Sequence, residues 1–221
     1  MAPLPALIEA WNRSADLHAI APGADPEEID EAEQRLGRHL PPAMRSLYET
    51  MNGADLVEGD LAIHPLLPEP DGDDALTLVG ASDFLREAQW PIPPELVVFG
   101  STGTGEPLGL WLPQDQGGAR PFVVQVGEIF EDASFAVVGD DILSFLTGWC
   151  SYYLLLLAEH RAGAILDVLG VPDHVRRGSD ALGDDDMEAL LSWASPGLPD
   201  PRPDVYERPV TADQLREWAA R

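Results

Sequence analysis

The sequence predicts an α+β protein. Two strong helix-start signals lie near its beginning, short β-prone runs fill the stretch from Leu56 to Val138, and a long uncharged helical segment follows. Residues 4–13 carry Leu4, Leu7, Ile8 and Trp11 at helical spacing, and Pro22-Gly23 closes the loop after them. Asp25-Pro26-Glu27-Glu28 is a start signal with an Asp N-cap, Pro at the first helical position and a glutamate placed to close a capping box. Ile29, Ala32 and Leu36 then form the buried stripe, and Gly37 the stop. Pro41-Pro42 begins a second helix with Met44, Leu47, Tyr48 and Met51 on one face, ended by the turn Asn52-Gly53.

Beyond this pair the β-prone runs are Leu61 to Leu67, Leu76 to Val79, Leu96 to Phe99, Leu108 to Leu112 and Phe122 to Val126, which predict four or five strands. A helix is expected at Asp83 to Ala88 with Ser82 as its cap. Asp140 or Asp141 caps the long helix running to about His160. The chain divides at that point into a domain over residues 1–160 and a helical extension over 161–221. The extension has helical patterns at Ala164 to Leu169, Met187 to Trp193 and Ala212 to Ala220, and a loop with four prolines from Pro196 to Pro203.

Charge narrows the function classes. The chain has 221 residues, 39 acidic and 13 basic, for a net charge of −26. Every basic residue is arginine, so a P-loop lysine, a Schiff base and a lysine general base are excluded. A field of this sign repels phosphate backbones, which argues against nucleic acid and anionic membranes as partners. It favours rapid encounter with a basic macromolecule. At 45% apolar and 24% charged residues the composition is that of a folded globular chain, and 21 Pro with 20 Gly imply many punctuated turns. The single cysteine, Cys150, cannot form an internal disulfide, and Met1 to Pro5 followed by Glu9 lacks the basic flank of a signal peptide, so a cytoplasmic location is expected. Ile142 to Ala158 is uncharged, but Ser144, Thr147, Gly148 and Ser151 fall on one helical face and Ile142, Leu146, Trp149, Tyr153 and Leu157 on another, as in an amphipathic core helix.

The residues that could carry chemistry have plainer readings. His18, His39, His64, His160 and His174 are dispersed without zinc-ligand spacing. Asp71-Gly72-Asp73-Asp74 begins like a calcium loop, yet Leu76 and Ser82 stand where its turn glycine and bidentate glutamate belong, leaving a solvated acidic loop. The run Gly100-Ser101-Thr102-Gly103-Thr104-Gly105-Glu106-Pro107 reads as a connection between two strands. Ser134 reads as a helix-entry serine, Cys150 as a buried thiol, and the six tryptophans mostly as core. No catalytic residue, metal ligand or cofactor site is expected.

One feature exceeds this background. Between Arg45 and Arg120 lie 13 acids and one arginine, Arg86. A charge run is often only a solvated face, but repulsion among so many carboxylates weakens folding unless something selects for it. Glu58, Asp60, Glu69, Asp71, Asp73, Asp74, Asp83, Glu87 and Glu95 are therefore the expected partner-binding surface, with a basic protein as its counterpart.

Several segments in order carry a resemblance. Residues 26–53 combine an acidic capped helix containing Glu33, then Leu40-Pro41, a helix with Tyr48, and Asn52-Gly53. Trp90 precedes Pro91-Ile92-Pro93. Phe99-Gly100 is followed by Gly103 and Gly105, and Ser134-Phe135 by a helix with Leu143 and Phe145. Together these resemble the SMI1/KNR4-type domain of the SUKH superfamily over roughly residues 1 to 150. Ala54 stands where the pattern often has a second glycine, and residues 161–221 have no counterpart. The resemblance implies N-terminal helices on a central, mainly antiparallel sheet, and a binding function without catalysis. Bacterial members act as immunity proteins against secreted or contact-delivered toxins, many of them nucleases, while fungal relatives regulate cell-wall synthesis. The Lys-free, Ala/Pro/Gly-rich composition favours the bacterial class, with a cognate protein toxin as the partner; a regulator of an endogenous partner is the alternative. Oligomeric state is left open.

Overall fold

The computed structural model describes residues 2–70, 72–90, 92–113, 121–127, 134–157, 159–173, 175, 184–198 and 209–220. Helix α1 (Leu4–Arg13) and α2 (Pro26–Leu36) form where the residues predict. Both halves of the capping box are present: Asp25 Oδ1 accepts from Glu28 N and Glu28 Oε2 from Asp25 N, each at 2.9 Å. Gly37 ends α2 at φ 66°, a left-handed conformation open to glycine without a Cβ penalty. Helix α3 (Pro42–Thr50) buries Met44, Leu47 and Tyr48.

Among the described residues seven strands form one sheet in sequence order, every neighbouring pair antiparallel: β1 (Ala19–Ile20), β2 (Ala54–Leu56), β3 (Leu61–Ile63), β4 (Leu96–Thr102), β5 (Pro107–Trp111), β6 (Phe122–Val126) and β7 (Phe135–Gly139). Both faces are covered, which is why β4 to β7 read as nearly unbroken apolar runs. One face, with Phe99, Leu108, Leu110 and Val123, packs under α1, α3 and α5 (Ile142–Leu157). The other, with Val98, Trp111, Phe122 and Val124, packs under α4 (Ala81–Glu87) and α8 (Ala212–Ala219). Phe122 stacks on Trp111 and takes the edge of Trp218 from α8, with ring centroids 4.2 Å apart in the second pair. α6 (Glu159–Leu169) lies against α1 and α5, and α7 (Asp184–Ala194) against α5. Val210 exchanges two backbone hydrogen bonds with Phe135 along the outer edge of β7.

The structure corrects the sequence reading in several places. Strands β1, β2 and β7 were outside the expected four or five; the first two have only two and three residues and exist through their pairing with neighbours. Leu76 to Val79 is not a strand. Asp74–Leu76 is a 3₁₀ turn closed by Asp73, whose carboxylate accepts from Ala75 N, and by Thr77, whose hydroxyl donates to Asp74 O. Local side-chain bonds of this kind compete with strand pairing. Ser82 does not cap α4: Gly80 holds that position, and the buried Ser82 Oγ accepts from Val98 N (2.8 Å), completing the edge of β4. Ser134 opens β7, a strand lying between it and the helix. In α5 the face with Ser144, Thr147, Gly148 and Ser151 is buried too. Thr147 and Ser151 donate to carbonyls one turn back, and Gly148 leaves room for Leu191 and Ala194 of α7.

Candidate functional site

The residues behind the family resemblance hold backbone in place. Glu33, nearly buried on α2, accepts from Leu40 N (3.0 Å), His39 Nδ1 (2.7 Å) and Arg45 Nη1 (3.2 Å), so one carboxylate closes the loop into α3. Burial pushes its carboxyl up, but these donors outweigh that and hold it below the usual range. Pro41 sits at the N-cap of α3 and Leu40 is buried beside it. Tyr48 Oη donates to His64 O (2.9 Å), Asn52 Oδ1 accepts from Leu66 N (2.8 Å), and Gly53 adopts φ 98° beside Pro65. Together they tie α3 to the chain leaving β3.

Phe99 is buried edge-on to Phe145 at 6.4 Å. A Cβ on Gly100 would lie 2.1 Å from Ala62 O, and Gly103 N donates to Asp60 O at 2.7 Å. Gly105 turns the β4–β5 hairpin at φ 95°, and Glu106 accepts from the hydroxyls of Thr102 and Thr104 there. Trp90 is half-buried against the second sheet face, and Phe135 lies within it. Cys150 is buried, accepts from Trp11 Nε1 (3.4 Å), and burial pushes its thiol up to about 12, the environment of an inert thiol. Among the described residues no three His, Cys, Asp or Glu side chains are grouped to hold a metal.

Among the described residues the candidate acids form no single patch. Glu58 and Asp60 lie on the β2–β3 turn, against the β4–β5 hairpin tip that carries Glu106. Glu95 immediately precedes β4, at its other end. Seven residues of strand separate these groups by about 20 Å, well beyond the screening length of about 8 Å at physiological salt. Glu95 is also engaged: Arg216 of α8 forks onto it at 2.8 and 3.1 Å, holding its carboxyl below the usual range. Asp74 pairs with Arg35 (2.8 Å) and Asp83 with Arg86 (2.6 Å). Counting along the chain assigned Arg86 alone to this span; folding delivers Arg35 and Arg216 from distant segments. Asp73 and Asp74 on the 3₁₀ turn and Asp83 and Glu87 on α4 are exposed, these two elements pack against each other, and Glu69 is exposed on the loop before them. Asp71 lies outside the described residues.

The β2–β3 turn hangs on His18. Its Nδ1 accepts from Val57 N (3.0 Å) and its Nε2 meets Ser14 Oγ (2.8 Å), an arrangement that requires the neutral ring. Burial lowers its pKa to about 4, against an opposing pull from Asp16. The unfolded chain therefore takes up this proton first as pH drops below about 6.5, and stability falls from there to about 4. Burial lowers His64 as well. Glu33 and Glu95, held low, lose their contribution only at more acidic pH. Melting temperature is expected to decline between pH 6.5 and 4.5, and His18→Gln to flatten that decline while leaving the His64 part. An unchanged slope in the variant would remove His18 from this role.

Helices on both faces of an antiparallel meander, with the chain fixed by backbone contacts at Glu33, Asn52 and Gly100, define an α+β sheet protein. A model of the SMI1 / KNR4 family (SUKH-1) matches residues 23–148, and the chain belongs to that family. Members bind partner proteins and are generally immunity or regulatory proteins rather than enzymes. No curated protein matches the chain. Among the described residues no helix is long and apolar enough to cross a membrane.

Proposed function

We propose that this protein is a bacterial, cytoplasmic immunity protein that binds and neutralises a cognate secreted or contact-delivered toxin of basic character, such as a nuclease, through its acidic surface. The observation that carries the reading is the net charge of −26 in a family whose members bind proteins. Fold stability does not benefit from such self-repulsion, whereas encounter with a basic partner does. We further propose that residues 1–160 are the SMI1/KNR4-like domain and 161–221 a helical extension docked on it.

The test is a kinetic binding assay against the catalytically inactive form of a basic toxin domain taken from a neighbouring gene. Association should slow steeply as salt rises. The double change Asp73→Arg and Asp74→Arg should slow it about tenfold or more at low salt, within the range of electrostatic steering. The lost Asp74–Arg35 pair is exposed and costs at most about 1 kcal/mol of stability, and the lost Asp73 cap on Ala75 N about 1 kcal/mol more. Equal association rates would remove these acids from the interface. Binding that ignores salt would remove the acidic surface from the reading, and no binding at all would favour the regulator of an endogenous partner.

A further inference from the structure

Three large apolar side chains stand out as exposed among the described residues: Ile20 at 40%, Leu76 at 65% and Phe84 at 51%. Ile20 lies on the two-residue edge strand β1. The other two belong to one rigid unit, because the 3₁₀ turn ending at Leu76 is clamped to the start of α4, which carries Phe84. Thr77 Oγ1 donates to Asp74 O and accepts from Gly80 N, Ala81 N donates to Thr77 O, and Gly80 approaches Asp74 so closely that a Cβ there would lie 2.1 Å from its carbonyl oxygen. The inward side of this unit is already filled by Leu78 and Ala81. Nothing inside the fold calls for a large aromatic at position 84.

We infer that Leu76 and Phe84 are the apolar anchors of a protein-docking surface whose rim is Asp73, Asp74, Asp83 and Glu87, and that its partner is a basic protein face with an apolar pocket flanked by Lys or Arg. Glu87 is three residues beyond Phe84 and shares its helix face, and Asp83 adjoins it. A central apolar anchor inside a charged rim is the anatomy of a specific interface. Phe84 and Leu76 are exposed on two elements that are hydrogen-bonded together, rather than as scattered single residues. Because the clamp holds the anchors before binding, little ordering cost falls on association. Asp74 and Asp83 already pair with Arg35 and Arg86, so the charge complementarity and encounter rate fall mainly to Asp73 and Glu87, and the anchors supply residence time.

This inference rests on the immunity reading and names the face that serves it. The experiment uses the full chain and the same inactive toxin domain. Phe84→Ala should weaken binding about thirtyfold, mainly through faster dissociation, as for a buried aromatic anchor; Phe84→Trp should keep it within about threefold. Leu76→Ser, on the other element of the unit, should weaken it in the same sense. Melting curves separate these effects from misfolding, and an exposed site is expected to tolerate all three changes. Unchanged dissociation in folded Phe84→Ala and Leu76→Ser overturns this docking face while the wild-type chain still binds the toxin. Failure of the wild-type chain to bind overturns the immunity reading, and this face with it.

Discussion

Truncation after His160 is expected to yield a chain that aggregates, binds hydrophobic dyes and loses its cooperative melting transition. The removed segment places Ile165, Leu166 and Leu169 of α6 and Leu190, Leu191 and Ala194 of α7 in fully or nearly buried positions. Its last helix, α8, buries Leu215 on the second sheet face and sets Trp218 against Phe122. Burial of each large apolar side chain is worth about 1.5–3 kcal/mol, and total stability is about 5–15 kcal/mol, so losing half a dozen removes most of it. The remainder would expose the Gly148 side of α5 and the aromatic strip of β5 and β6. Size-exclusion chromatography and calorimetry read the result. A soluble, monomeric fragment melting like the full chain would show that the extension adds nothing to the fold.

Gly100→Val is expected to be the most damaging single substitution in the sheet, costing about 3 kcal/mol or more, beyond the usual range for a point change. The position sits where the β4–β5 register shifts between Val98 and Gly100, and its partner across β3 is Ile63. A side chain there meets the Ala62 carbonyl oxygen at 2.1 Å, a backbone atom that cannot rotate away without breaking the β3–β4 ladder. Gly163 is the contrast: it lies within α6 with open space around its Cβ position, so Gly163→Ala should stabilise by up to about 1 kcal/mol. Urea titration of both variants checks the pair. A Gly100→Val protein within about 0.5 kcal/mol of wild type would mean the strand can shift to accept a side chain.

The helices were legible because their signals are local. Asp25, Pro26, Glu28 and Gly37 specify the start and stop of α2 within a dozen residues, and Thr211 with Gln214 closes a second capping box at α8. Strands β4, β5 and β6 were legible as compact apolar runs between turn residues. Strands β1 and β2 were not, since two or three residues carry no periodicity and acquire their conformation from a partner strand, whereas β3 falls within the expected run Leu61 to Leu67. Nor was the role of Ser82, whose hydroxyl is equally suited to a helix cap and to the edge of a strand 14 residues away. The family resemblance was readable for a related reason: Glu33, Tyr48, Asn52 and Gly100 are residues whose backbone contacts leave little choice of side chain.

Net charge is a sum over the chain, so the sequence by itself determined the acidity of this protein. It also determined the α+β class, because helical and strand periodicities occupy separate stretches. The distribution of that charge was decided only by tertiary structure. Electrostatic interaction depends on separation in space, and folding set Glu95 beside Arg216, 121 residues away, while placing Asp60 against Gly103, past the other end of β4. The exposure of Phe84 was decided there too, because Leu78 and Ala81 fill the inward side of its unit.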